Sequence, residues 1–131
     1  MAKDLIEKAK KLLVNSYAPY SGIRVSAIVE SNTGKTYSGV NVENASYGMT
    51  ICAERSAISS MVTSGDRVIE RIIIVTDYPE PIPPCGACRQ VIAEFGKPDT
   101  LVVSHSITSD KTRVWLFKDL FPCVFTVKEK R

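Results

Sequence analysis

Several things are missing from this sequence, and each absence excludes a class. No apolar run approaches the ~20 residues needed to cross a bilayer, so no membrane partner is expected. The opening M-A-K-D-L-I-E-K-A-K-K mixes charge with apolar residues. It lacks the apolar core and cleavage site of a secretory leader, so the expected location is cytoplasmic. Net charge is only +3, and no stripe of Arg and Lys alternates with aromatics. No nucleic-acid footprint is therefore expected. Histidine is nearly absent: His105 stands alone, with nothing at ligand spacing around it. Repeats, low-complexity tracts and linkers are lacking too.

What is present suits one packed domain over residues 1–131. The chain has 131 residues, is 44% hydrophobic, and is 24% charged, enough to build a core without disulfide staples. Four cysteines occur. Without a leader, their C-x-x-C spacing suggests metal or redox chemistry rather than bridges.

Apolar positions Leu5, Ile6, Ala9, Leu12 and Leu13 recur with helical period, predicting a helix from Asp4 to about Tyr17. Asp4 and Glu7 are spaced as a capping box, and Pro19 favours a stop there. Val25 to Glu30 and Lys35 to Val40 read as strands joined by a Ser31–Gly34 turn. A helix follows from about Cys52 to Ser64. Ile69 to Thr76 reads as a central strand buried on both faces. Prolines 79, 81, 83 and 84 force a loop. Cys88 to Phe95 predicts a helix, Leu101 to Ser104 and Lys111 to Trp115 two strands, and Lys118 to Leu120 a short turn or helix. The charged tail Lys128 to Arg131 is expected to fray. The order predicts an α/β fold: a three-layer α/β/α sandwich around a mixed five-stranded sheet.

The chemistry concentrates between Asn41 and Ala57, N-V-E-N-A-S-Y-G-M-T-I-C-A-E-R-S-A, and in Pro84–Arg89, P-C-G-A-C-R. Cys85 and Cys88 can converge on one metal at the turn into a helix, and Cys52 stands at the start of another. Helix N-termini favour thiolates. Three protein ligands leave one position open, as in catalytic zinc sites, where a bound water is acidified towards a pKa of ~7. Glu54, two residues after Cys52, is positioned for proton transfer beside such a metal. Three thiolates make the site anionic, and the Arg55 guanidinium can offset this by donating to sulfur. Alone, C-x-x-C would equally suit a redox pair or half of a structural zinc site. Together with C-A-E it matches the signature of zinc deaminases. Asn41 and Glu43 taken alone read as turn residues after a strand.

With these motifs in view, the chain resembles the cytidine deaminase family, in its small homotetrameric branch. The resemblance rests on A-P-Y-S at 18–21, N-V-E-N-A-S-Y-G-M-T-I-C-A-E-R, and P-C-G-A-C-R-Q. It implies one Zn²⁺ per chain held by Cys52, Cys85 and Cys88, with Glu54 as general acid/base and Arg55 neutralising the thiolates. It implies that Asn41 and Glu43 contact the ribose 3′-hydroxyl. Ala45 and Tyr47 would reach a neighbour's nucleoside across a subunit interface, and Phe125 would cap a base in another subunit. The implied reaction is hydrolytic deamination of cytidine and deoxycytidine in pyrimidine salvage, with Glu54 protonating N3 and then the departing amino group. The implied assembly is a homotetramer with shared pockets. Two departures stand out: Ile23 replaces an aromatic usual in the family, and F-P-C-V-F replaces L-P-G-A-F near the C-terminus. The first motivates an alternative substrate, a larger cytosine nucleoside such as blasticidin S. Cys123 reads as a free thiol, His105 as structural or exposed, and Trp115 as core or interface.

Overall fold

A computed structural model describes residues 2–127; the predicted fraying of the charged tail lies outside them. Five strands form one sheet in the order β2-β1-β3-β4-β5. They are β1 (Val25–Ser31), β2 (Thr36–Val40), β3 (Ile69–Thr76), β4 (Leu101–Ser106) and β5 (Thr112–Leu116). β3 and β4 run parallel and the other neighbours antiparallel, so the sheet is mixed as expected. The β1–β2 hairpin turns at Gly34, whose φ of 86° lies where glycine carries no steric penalty.

Strand alternation sorts the core into two layers. Ala27 and Val29 of β1 and Ile72 and Ile74 of β3 face helices α2 (Ala53–Thr63) and α3 (Gly86–Phe95), through Ala57, Ile58, Met61 and Ile92. Phe117, opening the short α4 (Phe117–Leu120), joins that layer. Ile28, Ile73 and Val75 point the other way, against Ala9 and Leu13 on the first helix and the turn that follows it. That helix, α1, is Ala2–Leu12. β3 is buried on both faces, which explains its almost unbroken β-branched run.

Some boundaries differ from the sequence expectation. α1 already includes Ala2, so Asp4 lies in its first turn and does not cap it. Glu7 pairs with Lys10 at 2.8 Å instead of completing a capping box. The chain tightens to a 3-10 turn at Leu13–Asn15 and leaves the helix before Tyr17. α3 begins at Gly86, which brings Cys88 into its first turn. β4 continues to Ser106, because β3 supplies partners up to its end and β5 up to His105.

Candidate active site

Two helices present their N-termini to the same point. Cys52 occupies the N-cap position of α2 and Cys85 that of α3, while Cys88 is buried one turn inside α3. The three sulfurs lie within 4.8 Å of one another, and Cys52 Sγ is 3.8 Å from Cys85 Sγ. A tetrahedral zinc with Zn–S bonds of ~2.3 Å holds its sulfurs about 3.8 Å apart. The donor set and its spacing therefore fit zinc, with the fourth position left open.

The thiols are already poised for it. Cys52 is held down at about 5, chiefly by the Cys88 S–H that donates to it and then by Arg55. The same bond, together with burial, holds Cys88 up. Arg55 Nη2 donates to the carbonyl of Thr50 at 3.0 Å and lies 4.0 Å from Cys52 Sγ. Its Nε is buried and has no partner among the described residues. Glu54 is only 5% exposed. Burial pushes its carboxyl up to about 7, which suits a group that must both take and give a proton near neutrality.

A cleft of about 230 Å³ opens over this centre. Cys52, Glu54 and Cys85 line one side and Asn41 and Glu43 another, with Ile23, Val25, Ile82 and Pro83 as apolar walls. Asn41 and Glu43 follow β2 and are held by a small irregular ladder. Val42 exchanges two 2.9 Å backbone bonds with Ile51, while Tyr17 donates to the Asn41 carbonyl and accepts from Glu43 N–H. Their side chains grip the loop that carries A-P-Y-S. Asn41 Oδ1 accepts from Val25 N–H at 3.0 Å and from the Ser16 hydroxyl, and Asn41 Nδ2 donates to the Ile23 carbonyl at 2.9 Å. Glu43 accepts from the backbone N–H groups of Tyr20 and Ser21 at 2.9 and 3.0 Å and from the Ser21 hydroxyl. The Ser21 hydroxyl and N–H hold its carboxyl below the usual carboxylate range.

Ala45, Tyr47 and Phe125 do not line this cleft. Tyr47 is 75% exposed and packs edge-on against Tyr20; Ala45 is exposed nearby. Phe125 is 74% exposed, with its carbonyl accepting from Gln90 Nε2. His105 is buried and bonded to Thr112 at 2.8 Å. Trp115 packs against the core under the Arg113 guanidinium, and Cys123 is an exposed free thiol.

Sequence reasoning missed several contributors. Arg89, one residue past the C-x-x-C, ties Pro84 to Leu120 through two carbonyls and so fixes the cysteine loop. Ser16 lies outside every motif. Ile82 and Pro83 form a cleft wall inside a segment whose prolines predicted a loop.

Three convergent thiols beside a buried carboxyl are the donor set and neighbour of a zinc-dependent hydrolytic deaminase. Comparison with known proteins narrows the class. Residues 1–105 match the model of the cytidine and deoxycytidylate deaminase zinc-binding region. A cytidine deaminase of Halalkalibacterium halodurans is 39% identical over 125 residues, covering 95% of this chain and 94% of that protein. The cytidine deaminase of Sporosarcina psychrophila is 46% identical over 91 residues, covering 70% of this chain and 67% of that one. The crystal structure of the cytidine deaminase from Burkholderia pseudomallei superposes with a TM-score of 0.88 at 45% identity, covering 95% of this chain and 99% of that one. On matches of this extent the chain belongs to the cytidine and deoxycytidylate deaminase family.

Proposed function

We propose that the chain, as a single deaminase domain, converts cytidine and deoxycytidine to uridine and deoxyuridine with release of ammonia, in cytoplasmic pyrimidine salvage. The observation that carries this choice is the make-up of the cleft. It joins the thiol centre and Glu54 to an amide and a carboxylate suited to a sugar hydroxyl, and among the described residues no Lys or Arg lines it. Among the described residues the cleft offers no cation to a 5′-phosphate, so free nucleosides are favoured over deoxycytidylate.

Cys52, Cys85 and Cys88 would hold the zinc, which when bound supplies water acidic enough to yield hydroxide near pH 7. Asn41 and Glu43 fix the sugar, and so set the depth at which C4 stands over the centre. Glu54 takes one proton from the attacking water and gives it to N3 as the oxygen bonds to C4, then takes the remaining hydroxyl proton and passes it to the exocyclic nitrogen, so that the C4–N bond breaks and ammonia leaves. Arg55 keeps the thiolate cluster from becoming too anionic. Ile23, Val25, Ile82 and Pro83 keep bulk water from the base.

The assembly is a homotetramer with shared pockets. Val42, Tyr47, Met49 and Ile51 are apolar and 44–75% exposed around the catalytic stretch, which favours burial against another copy. Ala45 and Tyr47 then serve a neighbour's nucleoside, and Phe125 a base in another subunit. Parallel turnover of cytidine, deoxycytidine, deoxycytidylate and blasticidin S tests the reading. Both nucleosides should react, with deoxycytidylate at least about a hundredfold slower, the equivalent of one uncompensated charge contact of about 3 kcal/mol. Preference for deoxycytidylate would overturn the assignment, and preference for blasticidin S would replace the substrate.

A further inference from the structure

The hydrogen-bonding capacity of Asn41 is almost spent within the protein. Its Oδ1 accepts twice, from Val25 N–H and from the Ser16 hydroxyl. One of its two Nδ2 hydrogens goes to the Ile23 carbonyl. A primary amide has two acceptor sites and two donors, so one N–H remains for the cleft that Asn41 lines. The direction of that last N–H depends on which way the amide is turned. Val25 N–H can only donate and the Ile23 carbonyl can only accept, so together they select the orientation. The Ser16 hydroxyl adds a second hold on the oxygen.

Ser16 itself is well fixed. It closes the 3-10 turn Leu13–Asn15, its N–H donating to the Leu13 carbonyl at 3.1 Å. The next residue, Tyr17, bonds through its N–H to the Asn41 carbonyl at 3.0 Å. Backbone and hydroxyl thus grip Asn41 from one short segment, directly after the helix that packs on the other face of the sheet. Glu43 is served in the same way by Ser21.

We infer that Ser16 is a positioning residue for nucleoside binding: its hydroxyl locks the Asn41 amide so that one N–H faces the sugar hydroxyl. The inference rests on the assignment of Asn41 to that hydroxyl. Ser16 touches no substrate; it acts through Asn41. Its removal therefore affects a sugar that has the 3′-hydroxyl and leaves a sugar without one largely alone. Loss of general stability would slow both alike.

The test compares deoxycytidine with 2′,3′-dideoxycytidine, which differ at the 3′-hydroxyl. The ratio of their kcat/KM values is measured for the wild-type enzyme and for Asn41→Ala, Ser16→Ala and Ser16→Thr. One hydrogen bond of ordinary strength corresponds to about a fivefold change. Asn41→Ala should collapse the ratio, Ser16→Ala should lower it about fivefold through the KM of deoxycytidine, and Ser16→Thr should restore it. A ratio that falls in Asn41→Ala but stays at the wild-type value in Ser16→Ala overturns the role of Ser16 and leaves that of Asn41 standing. Equal slowing of both substrates by Ser16→Ala, without rescue by threonine, overturns it also. A ratio unchanged in Asn41→Ala removes the sugar assignment, and the inference falls with it.

Discussion

Replacing Gly39 with alanine should disturb both stability and catalysis, although the residue touches neither the thiols nor the cleft. Gly39 sits on the edge strand β2, opposite Ala27 of β1. Helix α2 crosses it so closely that a Cβ there would stand 2.5 Å from Ala53 O, 2.5 Å from Ala57 N and 2.7 Å from Ser56 Cβ. Ordinary contact begins at 3.4 Å, so the helix must retreat by roughly 0.9 Å. Two of the three obstacles are helix backbone, which cannot swing aside as a side-chain tip would. The penalty therefore falls at the upper end of overpacking, about 3 kcal/mol, or roughly 10 °C in Tm for a chain of this size. Ala53 and Glu54 are the first two residues of α2, and Cys52 is its cap. The retreat thus displaces Glu54 and one thiol relative to Cys85. A misplacement of about 1 Å can slow the chemical step ~100-fold. Thermal melts, zinc content and kcat on the zinc-loaded enzyme read the result. Gly39→Ala with a Tm within about 2 °C of wild type and an unchanged kcat would show that α2 does not need Gly39 to hold its place.

Glu54→Gln keeps the shape of the buried side chain and removes the transferable proton. It should retain zinc while losing kcat by a factor of about 10²–10⁴; retention of most turnover in steady-state assays removes Glu54 from its role. Arg55→Ala should keep the fold, as circular dichroism would report, and slow turnover with a pH–rate profile displaced to higher pH; an unchanged profile counts against the neutralising role. His105 is buried, and burial first, then Lys10, holds its pKa below 6.5, against weaker opposition from Asp110 and Glu7. The unfolded chain therefore takes up a proton at His105 that the folded one resists. This contribution to stability is complete above pH 6.5 and is lost as pH falls towards the folded value. Denaturant titrations should show His105→Gln with a flatter acid limb than wild type below pH 6.5, and identical slopes would contradict this.

The thiol centre was legible because its chemistry is written in short spacings: C-A-E and C-x-x-C need only two helix starts to meet, and each helix begins within two residues of its expected position. The sandwich was legible for a similar reason. The periods of α1 and β1 and the two-sided run of β3 fix which faces must be covered. The hold on Asn41 and Glu43 was not. Their partners Ser16, Ser21, Ile23 and Val25 lie 16 to 25 residues earlier, and only the folded loop brings them together. Gly39 looked like any glycine in a strand, since the close approach of α2 belongs to packing rather than to local pattern. The capping box at Asp4 failed because α1 starts earlier than its apolar stripe.

Three thiols, one buried carboxylate and a cleft without a cation among the described residues together suit a zinc-dependent nucleoside deaminase. Metal analysis and cytidine turnover on one purified sample test it most directly. The sample should hold about one zinc per chain, as three convergent thiols with one open position require, and release ammonia in step with uridine. A zinc-loaded sample with Glu54 intact that leaves cytidine unchanged would contradict the assignment.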